Sequence, residues 1–535
     1  MDALMCRSMA LRTPRRLLCA GRAPWRRNLG RENVWKRMFV APDPGLLRLR
    51  SATRAVLGIG LAVTLCGLAG HSLVGAVAGG LAALLALFTV ADATVRGQAT
   101  TTALLPVVGF PVLALAAGLH EHPVARDAAF VAVVAAGVYA RRWGPRGHSL
   151  GVFAFMAFFV AQFLRTVPDQ LPELYGATLL ALSASSAVRF GLWCYERRMP
   201  PVAASAPLTG RGLARPTNRQ AVQAAVAAAF ALVAGQMVSP ERWYWAVGAA
   251  WWVFVNTTSR GETLIRGFRR VLGTVIGIAL GLLVVVPLHG APVPTAALVA
   301  VCVFGIFYSA PVSYTWMMLA VTVMAELLYG VLGVLDPHLI ALRLVETGVG
   351  ALGAVLAVLF VLPVSTHVIT DAWIARALRC VHRCTAETAA RLQGSATADP
   401  TAHVAELEVL LSRVGLSLAP LVHPLNPLRA RGRRARRVLA LLRTCADEVR
   451  GLAAIASDPE ASHDPRLSAA CERVEAAVEA LTTPGSPGVG VPAGGRTAAG
   501  PAEEPVLAHL HGIERALHEL TAPLRDAHDP GLARA

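Results

Sequence analysis

The chain has 535 residues, 55% of them hydrophobic and 16% charged, where a soluble domain carries about 45–50% and about 25%. That balance excludes an ordinary water-soluble enzyme. Arginine and lysine outnumber acidic residues 50 to 33, for a net charge of +17, yet Lys36 in Trp-Lys-Arg is the only lysine. A phosphate-gripping P-loop needs Gly-Lys-Ser/Thr, so ATP hydrolysis by that route is excluded too.

Residues 1–54 hold 13 basic and 3 acidic residues. A basic block abutting an apolar run marks a cytoplasmic flank before it marks a nucleic-acid site, and no nucleic-acid partner is expected. Arg12, Arg15, Arg16, Arg22, Arg26 and Arg27 interrupt any signal-peptide core. Met38 reads as a natural start, which makes 1–37 a translated upstream stretch; the alternative is a basic tail lying on anionic lipid.

About 20 apolar residues suffice to cross the hydrocarbon core. Twelve such segments are expected, near 52–70, 73–91, 101–119, 128–140, 149–166, 174–194, 219–238, 243–258, 271–289, 293–309, 312–332 and 339–363. With the N-terminus inside, the inner connections before the C-terminal region carry 26 basic residues and the outer ones three, Arg126, Arg165 and Arg242. The charge rule then puts both termini in the cytoplasm of a plasma-membrane protein. Trp243 and Trp245 suit an outer aromatic belt or core packing equally.

The fold class expected is therefore all-α, a polytopic membrane protein of two repeated six-helix halves with a helical cytoplasmic C-terminal region. The boundaries read as 1–50 basic segment, 51–198 first half, 199–217 linker, 218–365 second half, 366–482 cytoplasmic helices, 483–505 Pro/Gly linker and 506–535 terminal helix. The duplication rests on Thr94-Val-Arg96-Gly97 against Leu264-Ile-Arg266-Gly267, on Ala161-Gln162-Phe163-Leu164 against Ala325-Glu326-Leu327-Leu328, and on Leu171-Pro172 against Asp336-Pro337. Paired halves commonly flank a substrate path.

Trp245, Asn256 and the run Arg260-Gly-Glu-Thr-Leu-Ile-Arg266-Gly-Phe-Arg269-Arg270-Val-Leu-Gly273-Thr274-Val-Ile-Gly277 resemble the signature of the fusaric acid resistance (FUSC) and aromatic acid exporter families. Arg343-Leu-Val-Glu346-Thr347-Gly-Val-Gly350 resembles their closing helix. The resemblance covers roughly 45–370 and implies an integral membrane exporter. Its first half departs from the pattern, with Gln98-Ala-Thr-Thr-Thr-Ala where the basic Gly-Thr run would stand.

Gly273, Gly277 and Gly281 recur every four residues and so share one helix face, which suits close helix packing. Arg260, Arg266, Arg269 and Arg270 form an inner-mouth basic loop that either draws organic anions or only enforces topology. Ionisable groups at membrane depth cost about 2.5–3.5 kcal/mol on insertion scales and mark cavities or partners. Glu326, its counterpart Gln162, Arg343 and Glu346 are the pathway candidates. Arg343 and Glu346, three apart, form either a structural ion pair or a working pair in which Arg343 neutralises a substrate carboxylate while Glu326 or Glu346 exchanges a proton. Glu326, with no sequence-near cation, is the favoured carrier. Asp92 reads equally as a boundary residue.

His122-Pro-Val-Ala-Arg-Asp127 matches the His-x4-Asp spacing of acyltransferases, but a short outer loop offers no body for an acyl donor. No enzyme is expected. The nine cysteines form no Cys-x-x-Cys pair, Cys380, Cys384 and His382 leave a zinc site incomplete, and neither metal nor cofactor is expected. Amphipathic helices follow near 371–394, 402–422, 427–456, 465–482 and 505–526; Arg431, Arg433, Arg434, Arg436 and Arg437 form a solvated or lipid-facing cluster. The expected function is proton-driven export of small organic anions or aromatic acids. The alternatives are an organic-anion channel on the same scaffold and a non-transporting membrane scaffold; the partners are membrane lipid and the anion, and homo-oligomerisation is left open.

Overall fold

Inside hydrocarbon every backbone amide must find its partner within the protein, which leaves helices or closed barrels. The chain answers with helices, and no strand occurs among the described residues. The computed structural model describes residues 46–196, 212–255, 257, 260–288, 291–331, 333, 337–362, 366–392, 395, 397–422, 429–456, 465–482 and 504–528. The expected basic segment with Met38, most of the 199–217 linker and nearly all of 483–505 lie outside them.

Six helices cover the first half: α1 (Leu47–Leu68), α2 (Leu73–Thr89), α3 (Val95–Gly118), α4 (Pro123–Ala140), α5 (Gly144–Leu164) and α6 (Leu171–Glu196). Six follow in the second: α7 (Pro216–Val238), α8 (Tyr244–Phe254), α9 (Arg260–Leu288), α10 (Pro292–Ser309), α11 (Tyr314–Val331) and α12 (Pro337–Phe360). Local chemistry sets several ends. Ser72 and Thr94 accept the amides of Gly75 and Gly97 and so cap α2 and α3. Proline opens α4, α7 and α10, where its missing N–H costs nothing.

Among the described residues, eight helical stretches are long and apolar enough to cross a membrane; one of them, Pro123–Leu164, runs through both α4 and α5. α2 is apolar but has 17 residues. The expected eighth span at 243–258 shrinks most: α8 has 11 residues, about 16 Å of helix, roughly half the hydrocarbon thickness. Its run is already shorter in sequence than the about 20 residues a span needs, and the helix stops at Phe254.

The halves meet along two seams. In the first, α4 and α5 pack on α7 and α8 in an aromatic core: Phe155 stacks on Trp251 at 4.6 Å between ring centres, and Phe159 meets Tyr244 at 5.5 Å. In the second, α1, α2 and α6 share an apolar cluster with α10 and α11, where Phe88 meets Phe307 at 5.5 Å.

Beyond α12 lie α13 (Thr366–Leu392), α14 (Thr401–Val422), α15 (Arg429–Ala456), α16 (Pro465–Thr482) and α17 (Glu504–His528), around a core of their own. Arg383 pairs with Glu406 and Gly432 abuts the Leu421 carbonyl, so α13, α14 and α15 run antiparallel in turn. α14 also packs on α9, which brings the bundle against one end of the membrane helices. That end is called the bundle side below.

Candidate functional site

A cavity of about 180 Å³ lies where the two halves face each other. Its walls come chiefly from α2, α5, α8 and α11, the second and fifth helices of each half. The two halves line it differently. The first contributes only apolar side chains, among them Leu81, Leu85, Phe88, Met156, Phe159 and Phe163. The second contributes Trp245, Trp252, Met317, Met318 and Tyr329 together with two cations, Arg270 and Arg343. Four methionines among aromatic rings make an adaptable, polarisable wall.

Arg270 lines the cavity from α9, about three turns along the helix from Arg260. It is 9% exposed, donates a 3.6 Å contact to Met318 Sδ and a hydrogen bond to the Tyr314 hydroxyl, and leaves Nε without an acceptor. Arg343 enters from α12 near the opposite end. Its guanidinium lies 4.8 Å from the Trp245 ring centre and 5.6 Å from that of Tyr329, and Nη1 has no acceptor. Met318 and Tyr329, which touch the two cations, are about 16 Å apart along α11. The cavity thus has two cationic stations, each with spare donors, joined by an aromatic corridor.

Neither glutamate lines this cavity. Glu326 is 1% exposed and turned to the α9–α11 interface, where its carboxyl fills the space a side chain at Gly281 would need. Gly273 and Gly277 face Thr315 and Thr322 of α11 in the same row, so the glycine face predicted on α9 is the α11 contact. The cation whose charge reaches Glu326 is Arg343, from a helix its own sequence neighbourhood does not show. Glu346 is 0% exposed. No ion pair joins it to Arg343 among the described residues, because that guanidinium is spread over the rings instead; this corrects the structural-pair alternative. Gln162 does not meet the cavity either. It is half-buried on α5, whose Met156, Phe159, Val160 and Phe163 take the cavity face.

The inner-mouth arginines divide by position. Arg260 is exposed and Arg269 half-buried. Arg266 donates from Nε to the Trp252 carbonyl at 3.3 Å and lies 4.0 Å over the Tyr314 ring. It belongs to a set that sequence reasoning did not find. A helix leaves its last carbonyls without partners, and the short α8 ends in protein. Arg141, between α4 and α5, donates to the Phe254 and Thr257 carbonyls at 3.1 and 2.9 Å, and Gln220 of α7 adds a 2.9 Å bond to Thr257. Arg189 of α6 treats α2 alike, donating to Ala86 and Val90 at 2.7 and 2.9 Å. An arginine inside an expected span was the available signal for Arg189. Arg141 carried none.

The remaining motifs resolve into packing. Asp127 of the His-x4-Asp match accepts from Gln236 of α7 at 2.6 Å and pairs with Arg126, a link between halves that ties up the carboxylate a catalytic dyad would use. Trp243 is buried in the aromatic core, while Trp245 reaches the cavity. Asp92 lies 3.9 Å from Arg146. Cys380 and Cys384, both free thiols, share a hydrogen bond inside the bundle, and burial pushes the nearby Cys445 thiol up to about 12, the mark of inert packing. No group of three or more metal-ligating side chains occurs among the described residues.

Residues 226–357, from α7 to α12, match the family model described as fusaric acid resistance protein-like. Over this stretch the chain is similar to the FUSC family. The matched segment contains both cavity cations, both buried glutamates and the α9 glycines. No curated protein and no solved structure matches the chain.

Proposed function

We propose that this membrane protein, similar to the FUSC family over residues 226–357, exports small organic anions, aromatic carboxylates first among them, across the plasma membrane, with both termini cytoplasmic and the proton gradient as drive. One observation carries the reading: the cavity between the halves holds two arginines with unused donors against walls of aromatic rings and methionines. A carboxylate satisfies the first feature, since guanidinium binds it through paired N–H groups. A planar apolar body satisfies the second. The difference between the halves fixes the orientation, with the charge toward α9 or α12 and the body toward α2 and α5.

A second cavity of about 50 Å³ shares the walls Leu81, Leu85, Met156 and Val160 with the first and extends it into the first half. Lined almost wholly by apolar groups, it suits a hydrocarbon substituent on the ring. That the second and fifth helices of each half line the path supports a duplicated twelve-span architecture. A buried carboxyl with no hydrogen-bond partner, Glu326, supports a proton-coupled carrier over an open channel, since such a group is retained at a cost and earns retention by exchanging a proton. Arg270 and Arg343 are the anion stations and Glu326 the proton carrier.

The test is benzoate efflux from proteoliposomes with and without an imposed pH gradient. Arg270→Ala and Arg343→Ala are each expected to cut flux at least tenfold, and Glu326→Gln to remove the response to the gradient. Gradient-driven flux unchanged in Glu326→Gln would overturn the proton assignment, and wild-type flux indifferent to pH would favour the channel.

A further inference from the structure

We infer that Glu346 is a second proton-binding site, separate from Glu326, so that a transport cycle moves two protons with each anion. The coupling half of this statement rests on the export reading; the binding half does not. An ionised carboxylate offers about four acceptor positions and no donor. Burying it without partners costs far more than giving it a proton. Glu346 meets that condition as Glu326 does: it is 0% exposed and neither oxygen has a hydrogen-bond partner.

The groups around it make the site independent of the first. On its own helix Arg343, one turn away, is the natural mate, yet its guanidinium is held over Trp245 and Tyr329. From α8 the neighbour is Tyr244, which feels the charge of Glu346. From the connection between α7 and α8 it is Arg242, the one cation whose charge registers at Glu346. Neither α7 nor α9, which also pack on α12, brings a further charge that registers there. Glu326 answers instead to Arg343. None of the four oxygens of Glu326 and Glu346 has a hydrogen-bond partner, so the two carboxyls, on different helices, share no proton across a hydrogen bond and each takes up its own. Arg242 stands at the end of α8 away from the bundle and donates to the Tyr244 hydroxyl at 3.4 Å.

The experiment is infrared spectroscopy of the intact protein in lipid nanodiscs, following the carbonyl stretch of protonated carboxyl groups through a pH titration and after transfer to D₂O. Two buried bands are expected in the wild type, both shifting in D₂O. Glu346→Gln should remove one and Glu326→Gln the other, while Glu346→Asp, which keeps a carboxyl, should restore a band at a changed frequency and control for misfolding. A spectrum unaltered by Glu346→Gln overturns the site, as does a Glu346 band that neither shifts in D₂O nor responds to pH. In proteoliposomes the proton-to-benzoate ratio, read from the reversal potential, should fall from two to one in Glu346→Gln, and an unchanged ratio overturns the coupling. Both bands present without any benzoate flux would sink the export reading and leave the proton site standing.

Discussion

How near α9 comes to α11 is decided by three atoms that are absent, the Cβ atoms of Gly273, Gly277 and Gly281. A Cβ at 273 would lie 2.7 Å from the Thr315 carbonyl, which is backbone and cannot give way. At 281 it would meet the carboxyl of Glu326, the end of a flexible side chain. The two substitutions should therefore fail differently. Gly273→Ala is expected to lower stability by about 1–3 kcal/mol, as overpacking does, read as a drop in melting temperature in nanodiscs. Gly281→Ala should melt closer to wild type while changing the pH response of benzoate flux, because it moves Glu326. Gly60→Ala, with nothing within 4 Å, is the control and should be neutral or slightly stabilising. Equal melting of all three would refute the packing account. The four-residue spacing made this glycine face legible in the sequence. The identity of the groups opposite it was not, because nothing local to α9 encodes which turn of α11 arrives there.

At the level of helices, apolar runs located the membrane elements but not how their ends are finished. Twelve apolar segments were expected, and a helix stands at each position, yet α8 stops after 11 residues. Its length is a tertiary outcome: the chain can leave the helix early only because donors from other elements receive its last carbonyls. Arg141 and Gln220, from α4–α5 and α7, are far from α8 in sequence. Single-chain periodicity cannot register such a bond. The same limit hid the relation between Glu326 and Arg343, which sit on neighbouring helices, and made Arg343 and Glu346 look like a pair because they are three residues apart. Removing Arg141 should thus take a charged donor from each of two carbonyls, leaving Phe254 with the Thr257 amide and hydroxyl and Thr257 with Gln220, at about 1.5–3 kcal/mol each. Arg141→Ala is expected to cost about 3 kcal/mol in thermal unfolding. Arg165→Ala, which breaks an exposed 2.8 Å ion pair with Glu241 on the opposite side of the same seam, should cost under about 1 kcal/mol. Comparable losses would show that Arg141 is merely another surface charge.

For the molecule as a whole, the two seams between the halves differ in kind, and that difference predicts where the cavity opens. Along α4–α5 against α7–α8, directional bonds cross: Asp127 to Gln236, Arg141 to Phe254 and Thr257, and Arg215 to the Arg142 carbonyl at 3.1 Å. Such contacts have one good geometry, and sliding breaks them. Across α1–α2 against α10–α11 the contact is chiefly apolar, with Phe88 on Phe307 and Arg48 over Tyr308. In lipid this seam gives up little by parting, because hydrocarbon tails replace the lost apolar neighbours. Under the proposed export an anion passes from Arg270 to Arg343 and needs the cavity to face first one side and then the other, so the halves should pivot on the bonded seam and separate along the apolar one. Joining Phe88→Cys to Phe307→Cys through a short bifunctional maleimide is expected to abolish benzoate flux while leaving the melting temperature at or above that of the unlinked variant. Joining Phe130→Cys to Trp243→Cys, whose rings are 5.8 Å apart in the bonded seam, should preserve most of it. Flux that survives the first link and dies with the second would place the pivot on the other seam, and flux indifferent to both would mean that the halves do not move against each other at all.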